Sequence, residues 1–355
     1  MGKTSILTRK RLLTHFVIII SIFLIFELGL HSIFLYSQRK TTFMSFENFK
    51  KVLNIEYDMT LGWKLKPYAE GKLDYTNHLY KLNFMGLRGK DFDIEKKDGV
   101  YRIICLGGSS TFGVGLDETD TYPYKLENLL SRDTGYRRFE IINAGVLAYN
   151  LTQINIFLAE KLLKYRPDMI IVISCINNIF PSDYSRYYVS GKKKRISQFL
   201  NYFLHKSMTY RLIEVGILKL RYENKLPKNI FTNIAISSRV EDYGYNIKSL
   251  NEICQQNGIE LLLCTQPCLE EGIGEVLYGE FILFTQKLLR VAKSLDIIII
   301  DLNDKFPYRD RKKYFNDSKL DPHQHFIHPN GMGNEIIAEE IDKVLIHRFN
   351  IDKKL

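Results

Sequence analysis

From residue 101 onward the chain alternates strand-like and helix-like segments, and this alternation limits its fold more than any other feature. Five short apolar, β-branched runs recur: Arg102–Leu106, Phe139–Ile142, Met169–Ser174, Ile259–Thr265 and Ile297–Asp301. Helical spacing separates or follows them near 121–132, 150–165, 238–257, 276–294 and 331–348. Near-continuous apolar strands must be covered on both faces, which points to a parallel sheet with crossover helices. The pattern predicts a doubly wound, five-stranded parallel α/β domain over 101–348. An insertion at 181–237 parts the third strand from the fourth. It carries a basic run, Lys192–Arg195, read as a solvated loop. Ile196, Phe199, Leu200, Phe203 and Leu204 then recur at amphipathic helix spacing. A packing helix is the default reading of that stretch, with a lid or a membrane-facing element as alternatives.

The N-terminus is of another kind. Residues 12–36, LLTHFVIIISIFLIFELGLHSIFLY, are mostly apolar. As a helix they would reach beyond a hydrocarbon core of ~30 Å. Lys3, Arg9, Lys10 and Arg11 precede the segment and predict a cytoplasmic tail, residues 1–11, with the bulk of the chain outside. No small-residue cleavage site follows, so the segment reads as an uncleaved signal anchor. Glu27 and His31 interrupt it on one helix face. An intramembrane carboxylate often marks a helix partner; placement near the outer interface is the simpler reading. Residues 37–100 read as a linker and a small β-rich lead-in, with turn signals at Pro67, Gly71, Gly86 and Gly89.

The net charge of +10 suggests attraction to acidic partners such as an anionic membrane or an acidic glycan, with an ordinary basic surface as the default reading. No nucleic-acid reader motif is present. The five cysteines, Cys105, Cys175, Cys254, Cys264 and Cys268, do not make a disulfide framework. Cys105 and Cys175 fall in apolar runs and are expected as buried thiols. No zinc-ligand spacing surrounds Cys264 and Cys268, and His323 with His325 lacks companion ligands, so no metal is expected.

Ligands of an open parallel sheet bind beyond the carboxyl ends of its strands. The first strand is followed by Gly107-Gly108-Ser109-Ser110-Thr111, the second by Asn143 to Ala148, the third by Cys175-Ile176-Asn177-Asn178 and the fourth by Thr265-Gln266-Pro267. His325-Phe326-Ile327-His328 precedes the last helix. The first stretch lacks the lysine of a phosphate loop, the spacing of a dinucleotide fingerprint and the second glycine of a nucleophile elbow. A hydroxyl, backbone amides, an asparagine and an imidazole at one edge suit acyl transfer.

These blocks resemble those of the SGNH (GDSL-type) hydrolases, which have a flavodoxin-like sheet. Leu106–Gly113 is similar to the G-D-S-x-(S/T)-x-G block, with Gly108 in the acidic position. Asn143 leading to Ala148, Cys175–Asn178 and His325–His328 stand for the later blocks, the last in place of D-x-x-H. Asn83–Gly89, NFMGLRG, is similar to the lead-in of membrane-anchored bacterial members. The resemblance implies Ser109 as nucleophile, His328 as general base, and the Ala148 amide and Asn177 side chain as oxyanion donors. It implies no cofactor. It also implies an acylated small molecule or surface polysaccharide as partner. Oligomeric state is not legible.

Three departures stand out. Ala148 replaces a glycine and disfavours φ > 0. Cys175 replaces another. His325 replaces the aspartate, removing a fixed negative charge whose loss can lower turnover by about four orders of magnitude. Asp321 reaching back to His328, a carbonyl-oriented Ser–His dyad, or a binding protein that kept the groove without the chemistry all remain open. Arg88 in the lead-in reads as a structural ion-pair partner.

Overall fold

The structure, a computed structural model, describes residues 2–38, 54–72, 78–133, 138–179, 209, 213, 230–316 and 325–349. The chain forms two compact units. One comprises Met1–Thr42 and Lys192–Ser238, the other Phe43–Gly191 and Arg239–Leu355.

In the first unit, α1 spans Gly2–Gln38. Its Leu13–Leu30 stretch has a mean hydropathy of 2.3 and is long and apolar enough to cross a membrane. Phe16, Ile25 and Leu28 are exposed around the helix, as expected of a segment apolar on all sides. The Glu27 carboxylate accepts a 3.0 Å hydrogen bond from the Thr209 amide. The carboxylate therefore has a partner in the same chain. The amphipathic stretch 196–204 lies outside the described residues.

The second unit opens with two antiparallel pairs. β1 (Ile55–Asp58) pairs with β2 (Gly62–Leu65), and β3 (Glu70–Lys72) with β4 (Leu79–Lys81). The main sheet consists of β5 (Val100–Gly107), β6 (Arg138–Gly145), β7 (Met169–Ile173), β8 (Glu260–Cys264) and β9 (Ile298–Ile300). All four neighbouring pairs are parallel, in the order β6-β5-β7-β8-β9. This is the 2-1-3-4-5 order of a flavodoxin-like sheet, and its switch point lies between β5 and β7. The predicted strands are present at the predicted places. Every residue of β7, Met-Ile-Ile-Val-Ile, is buried. Each such side chain contributes roughly 1.5–3 kcal/mol of burial, so the central strands hold the domain together.

The flanking helices are α2 (Ser109–Phe112), α3 (Tyr122–Asp133), α4 (Leu151–Phe157), α5 (Ile230–Gln256), α6 (Glu275–Ser294) and α7 (Gly331–His347). Two differ from the expectation. The segment 150–165 starts as an α-helix under an Asn150–Gln153 capping box, then passes through a wider turn at Leu158–Leu162 and a tighter one at Leu163–Tyr165. α5 begins at Ile230 rather than near 238, since no glycine or proline interrupts the helical run between them.

All five cysteines are free and buried. Burial pushes the thiols of Cys105, Cys175 and Cys254 up to about 12, and those of Cys264 and Cys268 higher still. Thiolate is the reactive form, so a maleimide at pH 8 is expected to leave the native protein unmodified and to label all five thiols after denaturation. The raised values also have a stability consequence. Unfolded thiols ionise first, so their share of stability is complete below pH 9 and declines as the pH rises from there towards 12.

Candidate active site

β5 ends at Gly107, and the chain turns directly into α2 with Ser109 in its first turn. Gly108 is the N-cap, so Ser109 lies inside the helix and does not cap it. Amides in a first turn have no intrahelical acceptor, leaving the Ser109 N–H available to an anion. The turn is tightly backed. A Cβ on Gly145, at the end of β6, would lie 2.3 Å from the Phe112 nitrogen. Arg88 fixes the far end of the helix, donating to the carbonyls of Phe112 (2.9 Å), Gly113 (2.5 Å) and Leu116 (2.5 Å). The expected ion pair is thus replaced by carbonyl acceptors. Burial lowers the Arg88 guanidinium to about 10, against the raising influence of Glu118 and Asp117.

His328 reaches this turn from the other end of the sequence. Its Nε2 lies 2.8 Å from Ser109 Oγ, and both residues are buried. A hydroxyl and an imidazole at that separation can exchange a proton. The loop bearing His328 is pinned through its backbone, since Asn316 N–H donates to the His328 carbonyl at 2.9 Å. Asn330, and not His328, caps α7, accepting from the Met332 and Gly333 amides. Asn334 joins that cap to α3, donating to the Pro329 carbonyl and accepting from the Tyr122 amide. His325 begins the short turn His325–Ile327 that leads to His328. Asp321 lies outside the described residues.

The loops after β6 and β7 close the remaining sides. Ala148 adopts φ 63°, the left-handed conformation that a glycine would take freely. The alanine therefore holds a backbone conformation that glycine adopts more readily, despite its methyl group. Next to it, the Tyr149 carbonyl accepts from Asn177 Nδ2 at 3.0 Å. Asn178 Oδ1 accepts from the Leu151 amide at 3.0 Å and ties the two loops together. Gly108, Ser109, Tyr149 and Asn177 line one cleft.

The glycine at 108 now has a physical explanation. A Cβ there would lie 2.3 Å from Asn177 Nδ2, so the amide occupies the space that an acidic residue would fill. Gly108→Asp is expected to displace Asn177 and to slow reaction of Ser109 with a fluorophosphonate by about 10–100-fold, since a shift of ~1 Å can have that effect.

A parallel sheet ordered 2-1-3-4-5, a serine at the first strand end and a histidine ahead of the last helix meet at the switch point. The fold is the doubly wound, flavodoxin-like parallel α/β sheet that the sequence pattern predicts. No family model and no curated protein matches the chain. Several solved structures are similar to it at low identity. LAE5, an α/β hydrolase from the metagenome of Lake Arreo, shares 14% identity over 68% of this chain and 93% of its own, with a TM-score of 0.44. The lipase/acylhydrolase of Enterococcus faecalis shares 13% over 70% and 96%, TM-score 0.44. A variant of Axe2, an acetyl xylan esterase of Geobacillus stearothermophilus, shares 13% over 68% and 93%, TM-score 0.43.

Sequence reasoning passed over two supports of this site. Trp63, fully buried in the lead-in, donates from its indole to the Leu147 carbonyl at 3.3 Å, and its own carbonyl accepts from the Tyr149 hydroxyl at 2.6 Å. The lead-in hairpin therefore braces the Ala148 loop. Gln266, after β8, contacts the loops on either side of it. Its position after a strand was the available signal.

Proposed function

We propose that the protein is a serine esterase, acting as an acyl hydrolase or acyltransferase on an acylated cell-surface carbohydrate or related ester. The 2.8 Å approach of His328 Nε2 to Ser109 Oγ, across 219 positions of sequence, carries this reading. Ser109 Oγ attacks the ester carbonyl carbon while its proton passes to His328 Nε2. The oxyanion is held by the amides of Ser109 and Ala148 and by the Asn177 side chain. Collapse of the intermediate breaks the bond to the alcohol oxygen, which takes the proton from His328, and the acyl group stays on Ser109. Water, or an acceptor hydroxyl in transfer, then gives up its proton to His328 and attacks the acyl carbon; the bond to Ser109 Oγ breaks, and Oγ takes that proton back from His328 as the acid or the new ester leaves. No step calls for a cofactor.

The carbohydrate assignment draws support from the anchor and the charge. A membrane-crossing α1 with a cytoplasmic tail would place the second unit outside, and the net charge of +10 favours an acidic surface. The layout proposed is tail 1–11, anchor 12–36, lead-in 37–100, and the catalytic domain 101–348 with its insertion 181–237.

A second reading is favoured by His325, which occupies the position of the family aspartate. In this reading the protein is a catalytically impaired glycan-binding or assembly subunit. Full-length protein in detergent distinguishes the two. A fluorophosphonate probe is expected to modify the peptide containing Ser109 and to leave Ser109→Ala unmodified, with p-nitrophenyl acetate hydrolysis lost in the same variant. Absence of labelling in both proteins would support the binding subunit.

A further inference from the structure

Gln266 is almost fully buried, 4% exposed, and belongs to none of the motif blocks. Its side chain nevertheless meets, directly or through Ser110, a neighbour of Asn177, of Ser109 and of His328. Oε1 accepts from the Ile176 amide at 3.2 Å, one residue before Asn177. Nε2 donates to Ser110 Oγ at 3.0 Å, one residue after Ser109. Ser110 Oγ in turn donates to the Ile327 carbonyl at 2.9 Å, one residue before His328. Nε2 also approaches that same carbonyl at 3.5 Å, a long contact weaker than the serine's 2.9 Å bond.

The direction of the chain is fixed. Ile176 N–H can only donate, so the amide oxygen must face it and the nitrogen must face Ser110. Ser110 Oγ, accepting from Gln266, has its single proton free for Ile327. Three loops from distant parts of the sequence are joined in one donor-to-acceptor line, and no link can be reversed without breaking another. Asparagine is one methylene too short to span it, and glutamate cannot donate to Ser110 when ionised.

We infer that Gln266 is a positioning residue, which through Ser110 holds the loops of Ser109, Asn177 and His328 in mutual register. The consequence for reactivity rests on the esterase reading above; the coupling of the loops does not. Two measurements on full-length protein in detergent separate these parts. The first is amide hydrogen exchange over 173–179 and 325–330. Gln266→Met, similar in size but without polar groups, is expected to raise exchange about 10-fold or more in both segments. Gln266→Glu keeps the Ile176 acceptor and is expected to raise exchange only in 325–330. Ser110→Ala gives the same one-sided result and serves if Gln266→Met does not fold. The second measurement is the fluorophosphonate labelling rate together with p-nitrophenyl acetate kinetics. Gln266→Met is expected to lower kcat and labelling about 10–100-fold with KM within about twofold. The Gln266→Met/Ser110→Ala double variant should lose no more than the worse single variant.

Unchanged exchange in both segments overturns the inference. So does wild-type labelling in a Gln266→Met protein that has merely lost thermal stability, or losses that multiply in the double variant. If exchange rises as expected and even the wild type fails to label, the esterase reading falls and the loop coupling stands.

Discussion

Replacing His328 by glutamine is expected to lower turnover of an activated ester by roughly 10³- to 10⁶-fold, the range found when one member of a Ser–His pair is removed. Glutamine keeps a hydrogen-bonding group near Ser109 Oγ but cannot take its proton at neutral pH. The loss should therefore fall on kcat, with KM little changed. Fluorophosphonate labelling should slow in parallel, because attack on phosphorus needs the same deprotonation. The fold should tolerate the change, since the His328 loop is held by the bonds of Asn316, Asn330 and Asn334. Steady-state kinetics beside a thermal melt check both halves. A His328→Gln protein that labels at the wild-type rate would remove His328 from the chemistry, whatever its distance from Ser109.

Arg88→Met is expected to cause the largest loss of stability. It leaves the carbonyls of Phe112, Gly113 and Leu116 without their donor in a buried place. It also removes a guanidinium stacked 5.1 Å from the Phe112 ring centre. Hydrogen bonds to a charged donor contribute about 1.5–3 kcal/mol each, and not additively. A total loss of ~3 kcal/mol follows, equivalent to a fall in Tm of roughly 5–10 °C for a domain of this size. Arg88→Lys should recover little, since one ammonium cannot present the same planar fork to three carbonyls. Activity should decline as well, because these carbonyls end the turn that presents Ser109. Differential scanning calorimetry measures the first effect directly.

The sheet was legible because its strands are buried on both faces. Ile103–Leu106, Met169–Ile173 and Leu261–Cys264 read as unbroken apolar runs bounded by polar or turn residues. The serine and histidine were legible because strand-end position and block order converge on them. The bracing was not. Arg88 reads as a structural ion-pair partner until the carbonyls around it are seen, because charge alone suggests a carboxylate. Gln266 is an ordinary polar residue in sequence; its three neighbours come from 156, 90 and 61 positions away. Gly108 read as a missing acid, whereas the cause is an asparagine 69 positions later, in another loop. Such contacts arise from topology and leave no periodic trace.

Trp63 is the single tryptophan in the chain. Its ring packs 5.8 Å from that of Tyr149, beside the left-handed Ala148. The protein thus carries a built-in fluorophore against the strand of chain that would greet an oxyanion. Emission from ultraviolet excitation reports this one locality, without a dye and without background from other indoles. Any chain trimmed to start at the main sheet would discard both the sensor and the prop beneath that loop.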